Sequence, residues 1–114
     1  MTIADIAVAM NMNVAAGDEH LGNEVRSGYV SDMLSDVMGN APQGAVWVTT
    51  QVHANVVAVA MLLDLAAVIV AAGNKPNPDA LARAQERGVV VLTSELPAFE
   101  VVGRLYAMGV RGAE

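Results

Sequence analysis

The chain of 114 residues contains no cysteine and only six basic side chains, and both shortages narrow its possible functions. Without cysteine it can form no disulfide, thiolate nucleophile or cysteine-ligated metal site. The lysine and arginine residues are scattered, and twelve acidic residues give a net charge of −6. Binding to nucleic acids or to anionic membranes depends on clustered basic side chains. The sequence therefore predicts that the partner is neither nucleic acid nor membrane.

Aromatic residues are also scarce, at 4% of the chain, although 54% of the residues are apolar. The core must therefore be built from alanine, valine, leucine and methionine. A domain of this length has much surface relative to its volume, and one core does not easily bury so many apolar residues. The simplest way to bury the remaining apolar side chains is against a second copy of the chain, so the composition predicts a homodimer or a higher homo-oligomer. Methionine adapts to irregular contacts, and the candidate interface residues are Met33, Met38, Met61 and Met108.

Two apolar stretches could be mistaken for targeting or membrane segments. Residues 1–16 lack the basic start of a signal peptide, and Asp5 interrupts their apolar run, which predicts a cytoplasmic protein. Residues 54–72 are apolar enough to suggest a membrane span, but Asp64 would lie in the middle of the bilayer. A carboxylate at that depth costs about 2.5–3.5 kcal/mol. We therefore interpret residues 54–72 as part of a buried core.

The central segment has the pattern of a strand, a helix and a second strand, at 45–50, 53–65 and 67–71. Alanine, methionine and leucine favour the helix, whereas β-branched runs on either side favour strands. Continuous apolar strands are typical of a parallel sheet that is covered on both faces. A helix at 79–87, a strand at 89–93 and a helix at 97–108 follow. The order predicts a single α/β domain with a mostly parallel sheet, helices on both faces and a buried Trp47.

The N-terminal third carries weaker signals. Thr2 and Asp5 have the spacing of a capping box at the start of a helix. Residues 14–16 form at most a short strand, and residues 25–30 are strand-like. Ser31 or Asp32 is then in position to cap a helix that ends near Gly39.

Several segments resemble those of the DRTGG domain family. They are Gly28–Met38, Val46–Thr49 with Gln51 and His53, Gly73–Pro76 with Asp79, and Ala98–Val101 with Gly103–Tyr106. The resemblance implies that residues 1–114 form one DRTGG-like domain with the fold of the N-terminal domain of HPr kinases. Similar domains in HPr kinases, long phosphate acetyltransferases and CBS-containing pyrophosphatases are regulatory or assembly modules.

The sequence departs from this family at two positions where multidomain relatives carry polar motifs. Gln51-Val52-His53 stands where they have Gly-Asp-Arg, and Ala71-Ala72-Gly73 or Ala72-Gly73-Asn74 stands where they have Thr-Gly-Gly. Ligand chemistry that depends on that arginine, aspartate or threonine therefore does not carry over. Kinase activity is not implied either, because the chain has no phosphate-binding G-x-x-x-x-G-K-[ST] motif.

No set of residues in the sequence forms a recognisable catalytic or metal-binding pattern. Ser31, Ser35 and Ser94 lie outside any G-x-S-x-G turn. Asp32 and Asp36 share a helix face but have no histidine at a zinc-binding interval. We therefore predict no catalytic residue, metal or cofactor. The predicted function is that of a non-enzymatic regulatory or ligand-sensing domain for a nucleotide or other phosphorylated metabolite. The alternative is a structural interaction module that acts through homodimerisation and a partner protein.

Ligands of open parallel sheets bind beyond the carboxyl ends of the strands, where helix N-termini also favour anions. Thr50 and Gln51 could supply neutral hydrogen bonds, His53 a switchable one, and Lys75 the countercharge. The alternative is that these polar side chains only satisfy helix ends, with Asp32 as an N-cap and His53 bonding locally in a first turn. The predicted ligand-binding residues are Ser31, Asp32, Thr49, Thr50, Gln51, His53, Gly73, Asn74, Lys75, Thr93 and Ser94.

Overall fold

A computed structural model describes residues 1–113 as alternating helices and strands. In chain order the elements are α1 (Ile3–Ala9), β1 (Asn13–Ala16), a short 3-10 turn (Asp18–His20), β2 (Ser27–Val30), α2 (Leu34–Asn40), β3 (Ala45–Thr49), α3 (Ala54–Leu63), β4 (Ala67–Val70), α4 (Pro78–Arg87), β5 (Val91–Thr93) and α5 (Ala98–Ala107).

The strands form one sheet of five strands in the order β1-β5-β4-β3-β2. Strands β2 to β5 pair in parallel, and β1 pairs antiparallel with β5. The predicted α/β fold with a mostly parallel sheet is therefore confirmed. The antiparallel edge strand β1 brings the connection between α1 and β1 beside the carboxyl end of β5, because Asn13 is opposite Thr93.

Alternate residues of the central strands pack into two separate cores, one on each face of the sheet. Val46 and Val48 pack with α1 and α5, whereas Trp47 and Val68 pack with α2, α3 and α4. This arrangement confirms the prediction of helices on both faces. Trp47 is fully buried, as predicted, and its indole Nε1 donates a hydrogen bond of 2.9 Å to the carbonyl oxygen of Ser31.

The apolar run at 54–72 is divided into α3 and β4, as predicted. Helix α3 ends because Asp64 adopts a left-handed conformation, with φ of 54°. Within residues 1–113, no helix has both the length and the apolar character needed to cross a membrane. The capping box of α1 is also present, with reciprocal hydrogen bonds between Thr2 and Asp5.

The prediction that Ser31 or Asp32 caps α2 is wrong. The helix begins at Leu34, with Met33 in the capping position and no side-chain cap. The Ser31 hydroxyl instead accepts a local hydrogen bond of 3.1 Å from the backbone N–H of Met33. The Asp32 carboxylate turns towards the end of β3, because two threonine hydroxyls and a backbone N–H are available there.

Candidate functional site

The carboxyl ends of β2, β3, β4 and β5 lie along one edge of the sheet, since these strands are parallel. The predicted ligand-binding residues follow these ends, and all of them except Ser31 and His53 belong to one of two separate groups. The first group is a closed hydrogen-bond network around Asp32 at the ends of β2 and β3. The second lines an open cleft at the ends of β4 and β5.

The Asp32 network, formed by Asp32, Thr49, Thr50 and Gln51, joins the ends of β2 and β3. One carboxylate oxygen of Asp32 accepts hydrogen bonds of 2.8 Å from the Thr49 hydroxyl and the Thr50 backbone N–H. The other oxygen accepts a hydrogen bond of 2.7 Å from the Thr50 hydroxyl. The Gln51 amide donates to the carbonyl oxygen of Asp32 at 3.2 Å. The polar groups of this network therefore bond mainly to one another.

These hydrogen bonds also control the ionisation of Asp32. Partial burial of its carboxyl tends to raise the pKa. The hydrogen bonds from the Thr50 backbone N–H, the Thr50 hydroxyl and the Thr49 hydroxyl outweigh this effect and hold the pKa below its usual value. Asp32 is thus a stable anion whose oxygens already accept hydrogen bonds from the protein. It therefore has a structural role at this edge of the sheet, and its negative charge disfavours the binding of an anionic ligand there.

A tight turn after β4 connects the two groups. Ala72 and Gly73 have φ of 63° and 71°, the combination required at the centre of a type I′ turn. Their backbone N–H groups donate to the carbonyl oxygens of Leu96, at 2.7 Å, and Ser94, at 2.9 Å. On its other side, the amide of Asn74 donates to the carbonyl oxygen of Thr50 at 2.8 Å. The turn therefore holds the loop after β5 at a fixed distance from the end of β3.

An open cleft of about 220 Å³ lies beside this turn. The α1–β1 connection, the β4–α4 loop and the β5–α5 loop each supply part of its wall. The cleft is lined by Asn11, Asn13, Gly73, Asn74, Lys75, Thr93, Ser94 and Glu95. We call this space the polar cleft.

Five side chains of the polar cleft have unused hydrogen-bonding or charged groups: Asn11, Asn13, Lys75, Thr93 and Glu95. None of them takes part in a side-chain hydrogen bond within residues 1–113, in contrast to the Asp32 network. Lys75 and Glu95 carry opposite charges but form no ion pair within 4.0 Å in that part of the chain. The cleft thus presents donors, acceptors and both charges to solvent.

Sequence reasoning missed three of these residues, namely Asn11, Asn13 and Glu95. The two asparagines reach the site only because β1 pairs with β5, which nothing in the local sequence indicates. Glu95 lies against Gly73, where a Cβ atom would be 2.5 Å from its Oε2 atom.

His53 belongs to neither group. It occupies the capping position of α3 but makes no capping hydrogen bond, so the expected local bonding in a first turn is not found. It lines a space of about 10 Å³ between α3 and α4, with mainly apolar neighbours such as Val56 and Leu81. Its Nδ1 atom is buried and has no hydrogen-bond partner among residues 1–113. His53 therefore does not line the polar cleft.

Comparison with known proteins identifies a similar fold but no family. No protein-family model matches the sequence. No curated protein matches it either. The fold is similar to a crystal structure of the CBS and DRTGG domains from the regulatory region of Clostridium perfringens pyrophosphatase, in complex with its activator diadenosine tetraphosphate. The TM-score is 0.72 and the identity 16%, over 96% of this chain and 47% of the solved chain. This chain thus spans about half the length of that one, and the likeness supports a DRTGG-like fold.

Proposed function

We propose that this chain is a non-enzymatic regulatory domain that binds a small ligand in the polar cleft. The observation that carries the proposal is the contrast between the two polar groups at the carboxyl edge. The Asp32 network uses its polar groups internally, whereas the side chains of Asn11, Asn13, Lys75, Thr93 and Glu95 have no partner among residues 1–113. Polar side chains that converge on a concave surface without internal partners are typical of a binding site.

The proposal includes a relationship to DRTGG domains and a cytoplasmic location. The pyrophosphatase region of similar fold is regulatory and was crystallised with a nucleotide activator. By analogy, a nucleotide or other phosphorylated metabolite is a candidate ligand here, with Lys75 as the countercharge. Among residues 1–113, Lys75 is the only basic side chain that lines the cleft, and the acidic Glu95 lines it too, so the charge there favours a ligand with few phosphates.

A regulatory role also fits the chemistry of the cleft better than catalysis does. Acyl or phosphoryl transfer needs a nucleophile or water next to a base, with a third group that orients the base. The Ser94 hydroxyl accepts a hydrogen bond of 3.1 Å from the Leu96 backbone N–H. The histidine nearest in sequence, His53, lines a different space. The cleft therefore supports recognition of a ligand and offers no assembled catalytic set.

A ligand screen by thermal unfolding tests the proposal. Nucleotides, phosphorylated metabolites and amino acids are added to the wild-type protein, and a ligand at about 100 times its Kd should stabilise it by about 2.7 kcal/mol. Any ligand found is titrated against Asn13→Ala and Lys75→Ala, with Arg83→Ala on the exposed side of α4 as the control. We expect both cleft variants to weaken binding at least about fivefold, as loss of one hydrogen bond predicts. A ligand that binds both variants as tightly as the control variant would place the site elsewhere.

The alternative function, a structural interaction module, is supported by the outer face of α3. This helix has no charged residue between Ala54 and Leu63, and Met61 and Leu62 are 44% and 67% exposed. Helix α2 packs beside α3, and its residue Met38 is also exposed. Methionine and leucine on an uncharged helix suit contact with the same face of a second copy. We therefore infer that helix α3 is the candidate homodimer interface.

Sedimentation at several protein concentrations tests this interface. We expect a dimer at micromolar concentration in the wild type and a monomer after Leu62→Glu, since a buried unpaired carboxylate opposes association. Glu86→Gln, on the exposed face of the neighbouring helix α4, serves as the control and should leave the dimer intact. A wild-type protein that sediments only as a monomer would exclude homodimerisation through α3.

A further inference from the structure

The polar cleft holds one positive and one negative side chain apart from each other. Lys75 lies on the β4–α4 loop and Glu95 on the β5–α5 loop, and both are exposed. Neither forms an ion pair or a side-chain hydrogen bond within residues 1–113. Two opposite charges that line one concave surface without neutralising each other can each bind one end of a dipolar ligand.

The Glu95 carboxylate lies against the turn after β4. Gly73 has φ of 71°, and a side chain there would bring its Cβ atom to 2.5 Å from Glu95 Oε2. The missing side chain therefore leaves room for the carboxylate against the backbone of the turn. Hydrogen bonds also connect this turn to the β5–α5 loop, because the backbone N–H groups of Ala72 and Gly73 donate to the carbonyl oxygens of Leu96 and Ser94. The negative charge is thus part of the wall of the cleft, where it repels polyanions.

The remaining free groups are neutral, and the cleft is small. The amides of Asn11 and Asn13 and the hydroxyl of Thr93 can each donate and accept hydrogen bonds. The volume of about 220 Å³ is below the roughly 300–1,000 Å³ of pockets for drug-sized ligands. These features favour a metabolite smaller than a nucleotide, with polar atoms between its charged ends.

We propose that the polar cleft binds a small zwitterion with the chemistry of a free α-amino acid. The ligand carboxylate contacts the Lys75 ammonium, and the ligand ammonium contacts the Glu95 carboxylate. Asn11, Asn13 and Thr93 bond to the atoms between and beside these groups. The inference rests on the proposed function, because it assumes that this cleft is the ligand site, and it adds the class of the ligand.

Calorimetric titration of the wild-type chain with each standard amino acid at pH 7 is the first test. The best binder is then compared with its N-acetyl derivative, which lacks the cation, and with its amide, which lacks the anion. We expect each derivative to bind at least about tenfold more weakly, because each loses one charge-assisted hydrogen bond. This comparison uses the unaltered protein, so it does not depend on the folding of a variant.

Charge-removing variants then assign the two contacts. Glu95→Gln should weaken the binding of the amino acid at least about tenfold and leave the binding of its N-acetyl derivative unchanged. Lys75→Met should weaken the binding of the amino acid by a similar factor and leave the binding of its amide unchanged. Arg83→Met on α4 is the control for loss of a charge outside the cleft, and circular dichroism checks that each variant is folded. This crossed pattern is specific to a ligand that spans both charges.

Three results would overturn the inference, and they differ in what they say about the proposed function. If no amino acid binds but a phosphorylated metabolite binds in a Lys75-dependent manner, the zwitterion is wrong and the ligand-binding function stands. If Glu95→Gln tightens the binding of the ligand, the Glu95 carboxylate repels that ligand. The zwitterion is then wrong as well, and the ligand-binding function stands. If neither class of ligand binds, both the inference and the proposed function fail.

Discussion

Replacing Asp32 with asparagine tests whether its carboxylate joins β2 to β3 as a charged group. The substitution keeps the size of the side chain but removes the charge. The asparagine oxygen can still accept hydrogen bonds from Thr49 and the Thr50 backbone, whereas its NH₂ group cannot accept the 2.7 Å bond from the Thr50 hydroxyl. A hydrogen bond to a charged group contributes about 1.5–3 kcal/mol, and partial exposure of Asp32 reduces this. We expect the free energy of unfolding to fall by about 1–2 kcal/mol at pH 7.

Urea unfolding followed by the fluorescence of Trp47 is a suitable assay, because it is the only tryptophan and is fully buried. All samples are compared at one protein concentration, since a dimer would make stability concentration-dependent. Asp18→Asn is the matched control. Asp18 is exposed and forms no side-chain hydrogen bond within residues 1–113, so the control should change stability by no more than about 0.5 kcal/mol.

The effect of Asp32→Asn should also depend on pH in a defined direction. Hydrogen bonds hold the pKa of Asp32 below its usual value in the folded protein, despite the opposing effect of burial. Its contribution is therefore fully present above the unfolded pKa of about 3.9 and is lost as the pH falls through the lower, folded pKa. The difference between wild type and variant should shrink as the pH falls below about 4. An equal difference at pH 7 and pH 2.5, or none at pH 7, would refute the proposed role of the charge.

Three further substitutions should change stability measurably in the same unfolding assay. Ala72→Asn should raise the free energy of unfolding by about 0.5–1 kcal/mol, since asparagine tolerates positive φ better than alanine does; a loss would show that the turn differs from type I′. Gly73→Ala should lower it by about 1–2 kcal/mol, because φ there is 71°, and an unchanged value would contradict that geometry. Ser27→Ala should raise it by about 1 kcal/mol, because the buried hydroxyl has no partner within residues 1–113. Destabilisation by Ser27→Ala would indicate that the hydroxyl is hydrogen-bonded in solution.

The fold was predictable where the local composition changes with the secondary structure. The change from alanine, methionine and leucine in α3 to Val68-Ile69-Val70 in β4 distinguishes helix from strand. The short apolar strands likewise indicate a parallel sheet with two covered faces. The capping residue of α2 was not predictable, because Asp32 can bond either to the first turn of a helix or to the end of β3. Only the position of Thr49 and Thr50 in space decides between these two possibilities.

The candidate site was only partly predictable for a similar reason. The rule that ligands bind beyond parallel strands identifies Gly73, Asn74, Lys75, Thr93 and Ser94, all of which line the polar cleft. The rule says nothing about an antiparallel edge strand, which contributes its beginning to the same edge of the sheet. Asn11 and Asn13 therefore enter the site through a pairing between distant parts of the chain. No local pattern of residues encodes that pairing.

Ligand binding in the polar cleft can be tested most directly by mapping it residue by residue. Amide NMR spectra of the isotope-labelled protein are recorded while amino acids or phosphorylated metabolites are added. We predict that the largest shift changes occur at the backbone amides of Asn11, Asn13, Lys75, Thr93 and Glu95, and that those of Met61 and Leu62 on α3 remain unchanged. Saturable changes confined to other parts of the chain, or no changes with either class of ligand, would contradict the assignment of the polar cleft as the binding site.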